Sequence, residues 1–306
     1  MDKTKNEEKL TEAIQLISYD VSSKKFQINP KSEAFLSKVT GPIGVISVAG
    51  MYRTGKSYLL NRMILNSQTG FNVGPTVNPC TKGLWIWPQA LSGFSSDGQP
   101  INILLIDTEG IGSLDEDSNH DTKIFTLSIL LSSYFLYNSV GSIDETALQN
   151  LSFIVNLSRH IQLKNGNSDF DCDDYSQYFP TFMWIIRDFT LQLVDEDNEP
   201  ISSKEYLERG LAKQNGNSDN IEQKNRIRKL LKGFFKERDC CTIVRPLMDE
   251  ENLQNLEKVS IEQLRPEFVE QMLNLRRKVM TKMKPKMMNG KKLNGEMFVS
   301  LIKYVL

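Results

Sequence analysis

The octapeptide Gly50-Met51-Tyr52-Arg53-Thr54-Gly55-Lys56-Ser57 carries two glycines, a lysine and a hydroxyl at the spacing G-x-x-x-x-G-K-[ST]. These residue types at that spacing suit polyphosphate binding. The glycines let successive backbone N–H groups curl around the anion, Lys56 neutralises the β/γ oxygens, and the Ser57 hydroxyl is a Mg²⁺ ligand. Arg53 is a charged guest inside the loop. Further along stands Ile103-Leu104-Leu105-Ile106-Asp107-Thr108-Glu109-Gly110, an apolar run ending in an acid and a glycine. A carboxylate there holds a Mg²⁺ shell, and the Gly110 N–H can meet a γ-phosphate. A strand ending in a polar turn would account for Asp107 alone, but not for D-x-x-G downstream of a P-loop. Thr81, in Asn78-Pro79-Cys80-Thr81-Lys82-Gly83, lies between the two segments. A threonine in a mobile loop after the P-loop helix can supply a second protein ligand, so the expected metal set is Ser57, Thr81 and Asp107.

A base reader should follow a later strand, and the usual [NT]-K-x-D is absent. Phe182-Met183-Trp184-Ile185-Ile186-Arg187-Asp188-Phe189 stands there instead. The Asp188 carboxylate can accept two N–H bonds from a guanine edge, whereas adenine presents an acceptor and is repelled. A surface Arg187–Asp188 pair at a strand end is the other reading.

The elements that must hold these residues read as α/β with a mainly parallel central sheet flanked by helices. Ile43–Ala49 is an apolar run of strand length before the P-loop, and Tyr58–Ile64 has helical spacing after it. Further strands are expected at Lys24–Ile28, Gly83–Trp87, Ile101–Ile106, Phe182–Ile186 and Cys241–Val244. A helix is expected over Thr122–Tyr137. Ser142 and Glu145 fit a capping box that starts another helix, through Leu148, Leu151, Ile154, Val155 and Leu157. With no internal repeat or Pro-rich linker, residues 1–306 read as one domain, and 1–35 carry little assignment.

The 306 residues are 40% hydrophobic and 25% charged, an ordinary globular composition. A net charge of −1 gives no steering toward nucleic acid. Four cysteines without zinc spacing and two histidines, His120 and His160, leave little basis for a zinc or Ser-His-Asp hydrolase. The N-terminus has no apolar h-region, and a cytoplasmic protein with reduced thiols is expected. Asp169–Asp173 mimics an EF-hand start, but Asp174 and Pro180 stand where that loop needs Gly and Glu. Between Gln271 and Gly295 there are eight Lys/Arg and no acid. This block reads either as a solvated face or as a surface for phosphate, an acidic partner or a membrane.

Taken together, Gly50–Tyr58 with its internal Arg53-Thr54, Asp107–Gly110, Leu130-Leu131-Ser132-Ser133 through Tyr137-Asn138-Ser139, and Arg187-Asp188-Phe189 resemble the guanylate-binding proteins. These are large, dynamin-related GTPases with atlastins as nearest relatives. Arg245-Pro246 resembles the motif near the family's guanine cap, and Asn294-Gly295 the approach to the last helix of its G domain. The resemblance runs from about Leu36 to the C-terminus, and the family's G domain is normally followed by a long helical region. It implies a P-loop GTPase domain that hydrolyses GTP to GDP with Mg²⁺, in some members onward to GMP, stimulated by nucleotide-dependent homodimerisation through the G domain. Membrane association is left open. On this resemblance the nucleotide site comprises Gly50 to Tyr58, Val73, Gly74 and Pro75 from switch I, Asp107 to Ile111 with Thr108 and Glu109, Arg187, Asp188, Arg245 and Pro246. Arg53 is implied to be an internal arginine finger, with a static phosphate or carboxylate contact as the alternative. Glu109 and Thr81 are implied to organise the attacking water. The family commonly has Ser where this chain has Pro79, which offers neither hydroxyl nor N–H. A GTP-binding switch with little turnover is therefore the alternative to an active GTPase.

Overall fold

The computed structural model describes residues 12–20, 25–73, 83–111, 118–151, 178–216 and 218–306. Strands β1 (Ile14–Asp20) and β2 (Lys25–Ile28) form an antiparallel hairpin, and α1 (Pro30–Leu36) follows, capped by the Asn29 side chain. β3 (Ile43–Gly50) leads through the P-loop into α2 (Lys56–Leu60), which continues as a π-helical turn over Asn61–Leu65. Next come β4 (Leu84–Ile86), β5 (Leu91–Phe94), β6 (Pro100–Thr108), α3 (Ser118–Leu131) and β7 (Tyr134–Val140). α4 (Glu145–Gln149), β8 (Thr181–Arg187), α5 (Ser203–Gly210), α6 (Asp219–Phe234) and β9 (Arg238–Ile243) follow. The chain closes with α7 (Glu250–Leu253), α8 (Pro266–Thr281), a short hairpin of Met287–Met288 with Lys291–Lys292, and α9 (Gly295–Val305).

Among the described residues the main sheet has the order β2-β1-β4-β6-β3-β7-β8-β9, with β5 also on β6. The pairs β6–β3, β3–β7, β7–β8 and β8–β9 are parallel, while β1, β2, β4 and β5 pair antiparallel at one side. The parallel strands are buried on both faces, which is why they read as continuous apolar runs rather than alternating ones. Side chains alternate across the sheet. Ile46, Val48, Ile103, Leu105, Leu136 and Ile185 face α2 and the Phe268, Leu275 and Val279 side of α8. Phe135, Tyr137, Phe182, Trp184 and Ile186 face α4, α5 and α6 on the other side. Around β4 and β6 that second face is covered by α1, α3 and α9.

Two expectations are corrected. The helix expected over Thr122–Tyr137 ends at Leu131, and Tyr134–Val140 is instead a central strand between β3 and β8. Only Ser132-Ser133 separates the two apolar elements, and the ladders on both sides decide the conformation. The expected capping box at Ser142 is also replaced. Asp144 is the N-cap of α4, its side chain accepting from Ala147 N, and α4 ends at Gln149 with Asn150 as its C-cap; Ile154, Val155 and Leu157 of the expected helix lie outside the described residues. The two-sided box occurs at Ser202–Glu205, on α5. Besides Tyr134–Val140, the strands β1 and β5 fall where none is expected; β2, β3, β4, β6, β8 and β9 match their expected positions within a few residues. The stretch 164–174, with its EF-hand mimic, lies outside the described residues.

The basic block from Gln271 onward largely faces acids of this chain. Lys278 and Lys282 reach the two carboxylate oxygens of Asp239 at 3.3 and 2.9 Å, and Lys284 pairs with Glu237. Lys286 is buried, its Nζ donating to the Ser132 carbonyl at 2.8 Å, at the turn between α3 and β7. Burial lowers its pKa to about 8. Between that value and the ordinary 10.5, the unfolded chain binds more protons than the folded one, so this group's contribution to stability rises with pH. The stability difference between wild type and Lys286→Met, from urea unfolding, is expected to grow by up to about 3 kcal/mol from pH 8 to 10.5. A flat difference would show an ordinary lysine.

Candidate nucleotide-binding site

The parallel strands end along one edge of the sheet, and the sequence-predicted segments follow those ends. The P-loop follows β3, Glu109-Gly110 follows β6, Asp188 follows β8 and Arg245-Pro246 follows β9. β3 has parallel neighbours on both sides, reached by connections that run in opposite directions. Such a switch point opens a crevice at the carboxyl ends of the strands, where ligands bind in open α/β sheets.

The loop itself is framed by short internal bonds. Thr54 Oγ1 donates to the Met51 carbonyl at 2.7 Å, and Lys56 Nζ donates to the same carbonyl at 3.1 Å. Asn138, at the end of β7, donates from Nδ2 to the Thr54 carbonyl at 2.8 Å. Gly50 lies against this neighbour so closely that an added Cβ would sit 2.0 Å from the Asn138 carbonyl oxygen. The first glycine of the motif is thus demanded by strand packing as well as by the phosphate path. Arg53 is exposed near the loop's apex, with φ of 65°. A left-handed arginine is an uncommon backbone state, of the kind found at functional turns.

Lys56, Ser57, Asp107 and Glu109 come together beneath the loop. Ser57 Oγ donates to Asp107 Oδ2 at 2.5 Å, and Thr108 N donates to Asp107 Oδ1 at 3.0 Å. Asp107 is 1% exposed, and burial pushes its pKa up to about 6 against the opposing pull of Lys56 and Ser57. Burial lowers Lys56 to about 8, while the charges of Asp107 and Glu109 act to raise it. The ammonium donates to the Met51 carbonyl and the carboxylate accepts from Ser57, so the two buried groups act on each other through space. The two oxygen donors, a hydroxyl and a carboxylate, are the hard ligand types that Mg²⁺ takes alongside phosphate oxygens. Among the described residues no group of three or more His, Cys, Asp or Glu is placed to hold a metal ion.

Gly110 is fixed by close approach. A Cβ there would lie 2.3 Å from Tyr52 Cα. Tyr52 N donates to the Ile111 carbonyl at 2.9 Å, and Ile111 N to the Gly50 carbonyl at 3.1 Å. The segment after β6 therefore packs directly on the P-loop. Glu109 is buried and accepts from Gly83 N at 2.7 Å through Oε2.

At the end of β8, Asp188 takes φ of 55°, a state that Asp tolerates better than most residues. Phe189 N donates to the Ile243 carbonyl at 3.0 Å and holds the turn against β9. Arg187 is buried over the Phe268 ring, with Nε and Nη1 lacking hydrogen-bond partners among the described residues. Burial lowers its pKa, and the Asp188 charge opposes that. Tyr58 lies close by, with Arg62 over its ring, and burial raises its pKa against the pull of Arg62 and Arg187. Val73 packs at the rim of the α2 side of the core. Arg245 is on the loop after β9, 3.7 Å from Glu250, and the Pro246 carbonyl accepts from Arg265 N. No described contact joins Arg245 or Pro246 to the P-loop. Gly74, Pro75, Pro79 and Thr81 lie outside the described residues.

Three contributors went unassigned in the sequence. Asn138 sits in a segment read as the end of a helix. Arg62 donates to the carbonyls of Val259 and Leu256, tying the P-loop helix to the stretch after α7. His120 meets Glu109 at 3.2 Å. As one of two histidines, and following the acid that ends β6, His120 alone carried a signal in the sequence that could have been weighed.

Sheet order, loop and the Ser57–Asp107 bond beneath it define a P-loop nucleotide-binding α/β domain. Residues 23–288 match the model of the guanylate-binding protein N-terminal domain. Guanylate-binding protein 1 of Chlorocebus aethiops is 36% identical over 284 residues, covering 91% of this chain and 47% of that protein. Guanylate-binding protein 2 of Homo sapiens is 36% identical, covering 90% and 46%, and guanylate-binding protein 1 of Mus musculus 39% identical, covering 80% and 41%. The chain belongs to the guanylate-binding protein family, and it spans less than half the length of these relatives. Among the described residues, no helix is long and apolar enough to cross a membrane.

Proposed function

We propose that this chain is a GTPase domain, residues 1–306, that binds GTP with Mg²⁺ and hydrolyses it to GDP. Nucleotide-dependent pairing of two copies through the G domain would accelerate the reaction. The observation that carries this reading is the meeting of Lys56, Ser57 and Asp107 beneath the loop, with Ser57 donating to Asp107 at 2.5 Å. Family membership supports it, and the relatives' name points to guanine nucleotides.

In this reading the loop N–H groups and Lys56 hold the β- and γ-phosphates, and Ser57, Asp107 and Thr81 are the protein ligands of Mg²⁺. The ion supplies neutralisation of charge on the phosphate oxygens. Glu109 orients the attacking water from its buried position after β6. Arg53, at the exposed apex, reaches the phosphates when two domains meet, and its charge stabilises the transferring phosphoryl group. Val73, Gly74 and Pro75 approach the nucleotide from switch I. Asp188 reads guanine, with Arg187 buried behind it and Arg245-Pro246 near the base.

Purified protein given GTP and Mg²⁺ should release phosphate, with rate per molecule rising with protein concentration, and chelation of Mg²⁺ should stop it. Chromatography of the products separates GDP from GMP. Tight GTP binding without phosphate release would instead establish a switch or assembly module. Pro79 favours that second reading, because it removes a hydroxyl from the loop before Thr81.

A further inference from the structure

We infer that His120 is a positioning residue for GTP hydrolysis, which donates from Nε2 to Glu109 and sets the orientation of that carboxylate. The inference rests on the reading of Glu109 as the group that organises the attacking water. His120 Nε2 lies 3.2 Å from Glu109 Oε2, and both side chains are buried. Facing a carboxylate oxygen, that ring nitrogen must carry the proton. Gly83 N donates to the same oxygen at 2.7 Å. Two donors therefore occupy Oε2, while Oε1 is buried with no hydrogen-bond partner among the described residues. A buried carboxylate oxygen without a donor is costly, and it marks a place where a water or substrate proton completes the set. Glu109 directly precedes Gly110, whose backbone packs on Tyr52 of the P-loop, and Ile111 bonds Gly50 and Tyr52 there. The unpaired oxygen thus sits on the segment that lies against the polyphosphate loop.

The imidazole is itself held from outside the site. Its ring stacks on Phe26, with centroids 5.5 Å apart and planes at 27°. Tyr19 meets it edge-on at 5.2 Å and 74°. Tyr19 and Phe26 are direct cross-strand partners in the hairpin of β1 and β2, with their own rings 5.0 Å apart. Aromatic contacts of this kind fix a ring plane more firmly than area burial alone. The antiparallel edge of the sheet, which carries none of the phosphate-binding motifs, thereby reaches the reacting centre through one histidine. The chain of contacts runs from the hairpin to His120, from His120 to Glu109, and from Glu109 to Gly83, which precedes β4.

His120→Leu keeps an apolar group between Phe26 and Tyr19 and removes the donor. Its kcat is expected to fall about tenfold, the equivalent of one lost hydrogen bond to a charged group, with KM within about twofold. His120→Gln places an amide N–H where Nε2 stands and should restore most of the rate. In Glu109→Gln/His120→Leu the rate should fall no further than in Glu109→Gln alone, because the two act as one unit. Thermal unfolding of each variant accompanies the kinetics. A merely packing role predicts lowered melting temperatures and equal losses in the Leu and Gln variants, and that result would overturn the assignment. Wild-type turnover in His120→Leu beside a slow Glu109→Gln would overturn it as well, with the Glu109 reading intact. Wild-type turnover in Glu109→Gln itself would remove the Glu109 reading and the inference with it.

Discussion

Arg53→Ala is expected to lower GTP turnover by about 10³, the low end of what an arginine finger contributes, while GTP affinity changes by less than about tenfold. The reason lies in how the loop is built. Its frame runs through the Thr54 hydroxyl, the Lys56 ammonium and the Asn138 amide, which together hold the Met51 and Thr54 carbonyls. Arg53 is exposed, with a left-handed backbone, and its side chain is not one of the groups that make this frame, so its removal should leave the frame in place. Alanine keeps the positive φ at some cost in strain, and for that reason Arg53→Lys is the companion variant. A lysine keeps charge but loses the planar fork that grips two phosphate oxygens, so it should recover little of the rate. The wild type should show specific activity that climbs with protein concentration, and Arg53→Ala should show a flat, low line. If turnover is independent of concentration and untouched by the substitution, no finger acts from this position.

The parts of the fold that could be read from sequence are those whose physics is local or whose burial is complete. β3, β6 and β8 are apolar on both faces, so their runs stand out whatever surrounds them. The P-loop is legible because anion binding by backbone N–H groups dictates residue types at close spacing. Tyr134–Val140 was not legible as a strand. Its apolar run follows that of α3 after two serines, and a short apolar run fits helix or strand equally well. Pairing with β3 and β8 decides it, and that information lies far away in the chain. The hairpin strand β1 is half-buried and polar at Gln15 and Ser18, with its best pattern appearing only once β4 lies beside it. The site divides the same way. Lys56, Ser57 and Asp107 are typed by their motifs, whereas Asn138 supports the loop across 84 residues and Arg62 reaches Val259 across 197. No spacing rule announces such bonds. His120 lies only 11 residues from Glu109, yet its orientation depends on Tyr19 and Phe26 in the hairpin.

Asp188→Asn is expected to shift the preference between GTP and xanthosine triphosphate by at least about a hundredfold toward the latter, given the penalty of an unmatched polar contact in a base pocket. Guanine presents two N–H donors on the edge that a carboxylate can accept together. Asparagine keeps one acceptor and replaces the other with a donor, which then opposes the guanine amino group. Xanthine has a carbonyl in place of that amino group, so the same donor finds an acceptor. The substitution is mild for the fold. Asp188 takes φ of 55° directly after β8, and Asn adopts that left-handed state as readily as Asp. Phe189 still anchors the turn through its bond to the Ile243 carbonyl. The change does reach Arg187, since the Asp188 charge supports that buried guanidinium. A modest loss of thermal stability is therefore expected alongside the switch. Competition between the two triphosphates for one fluorescent analogue reads the preference directly, independent of turnover. An unchanged ratio in a stably folded Asp188→Asn would move base recognition elsewhere, and the loop carrying Arg245 and Pro246 after β9 would be the next place to look.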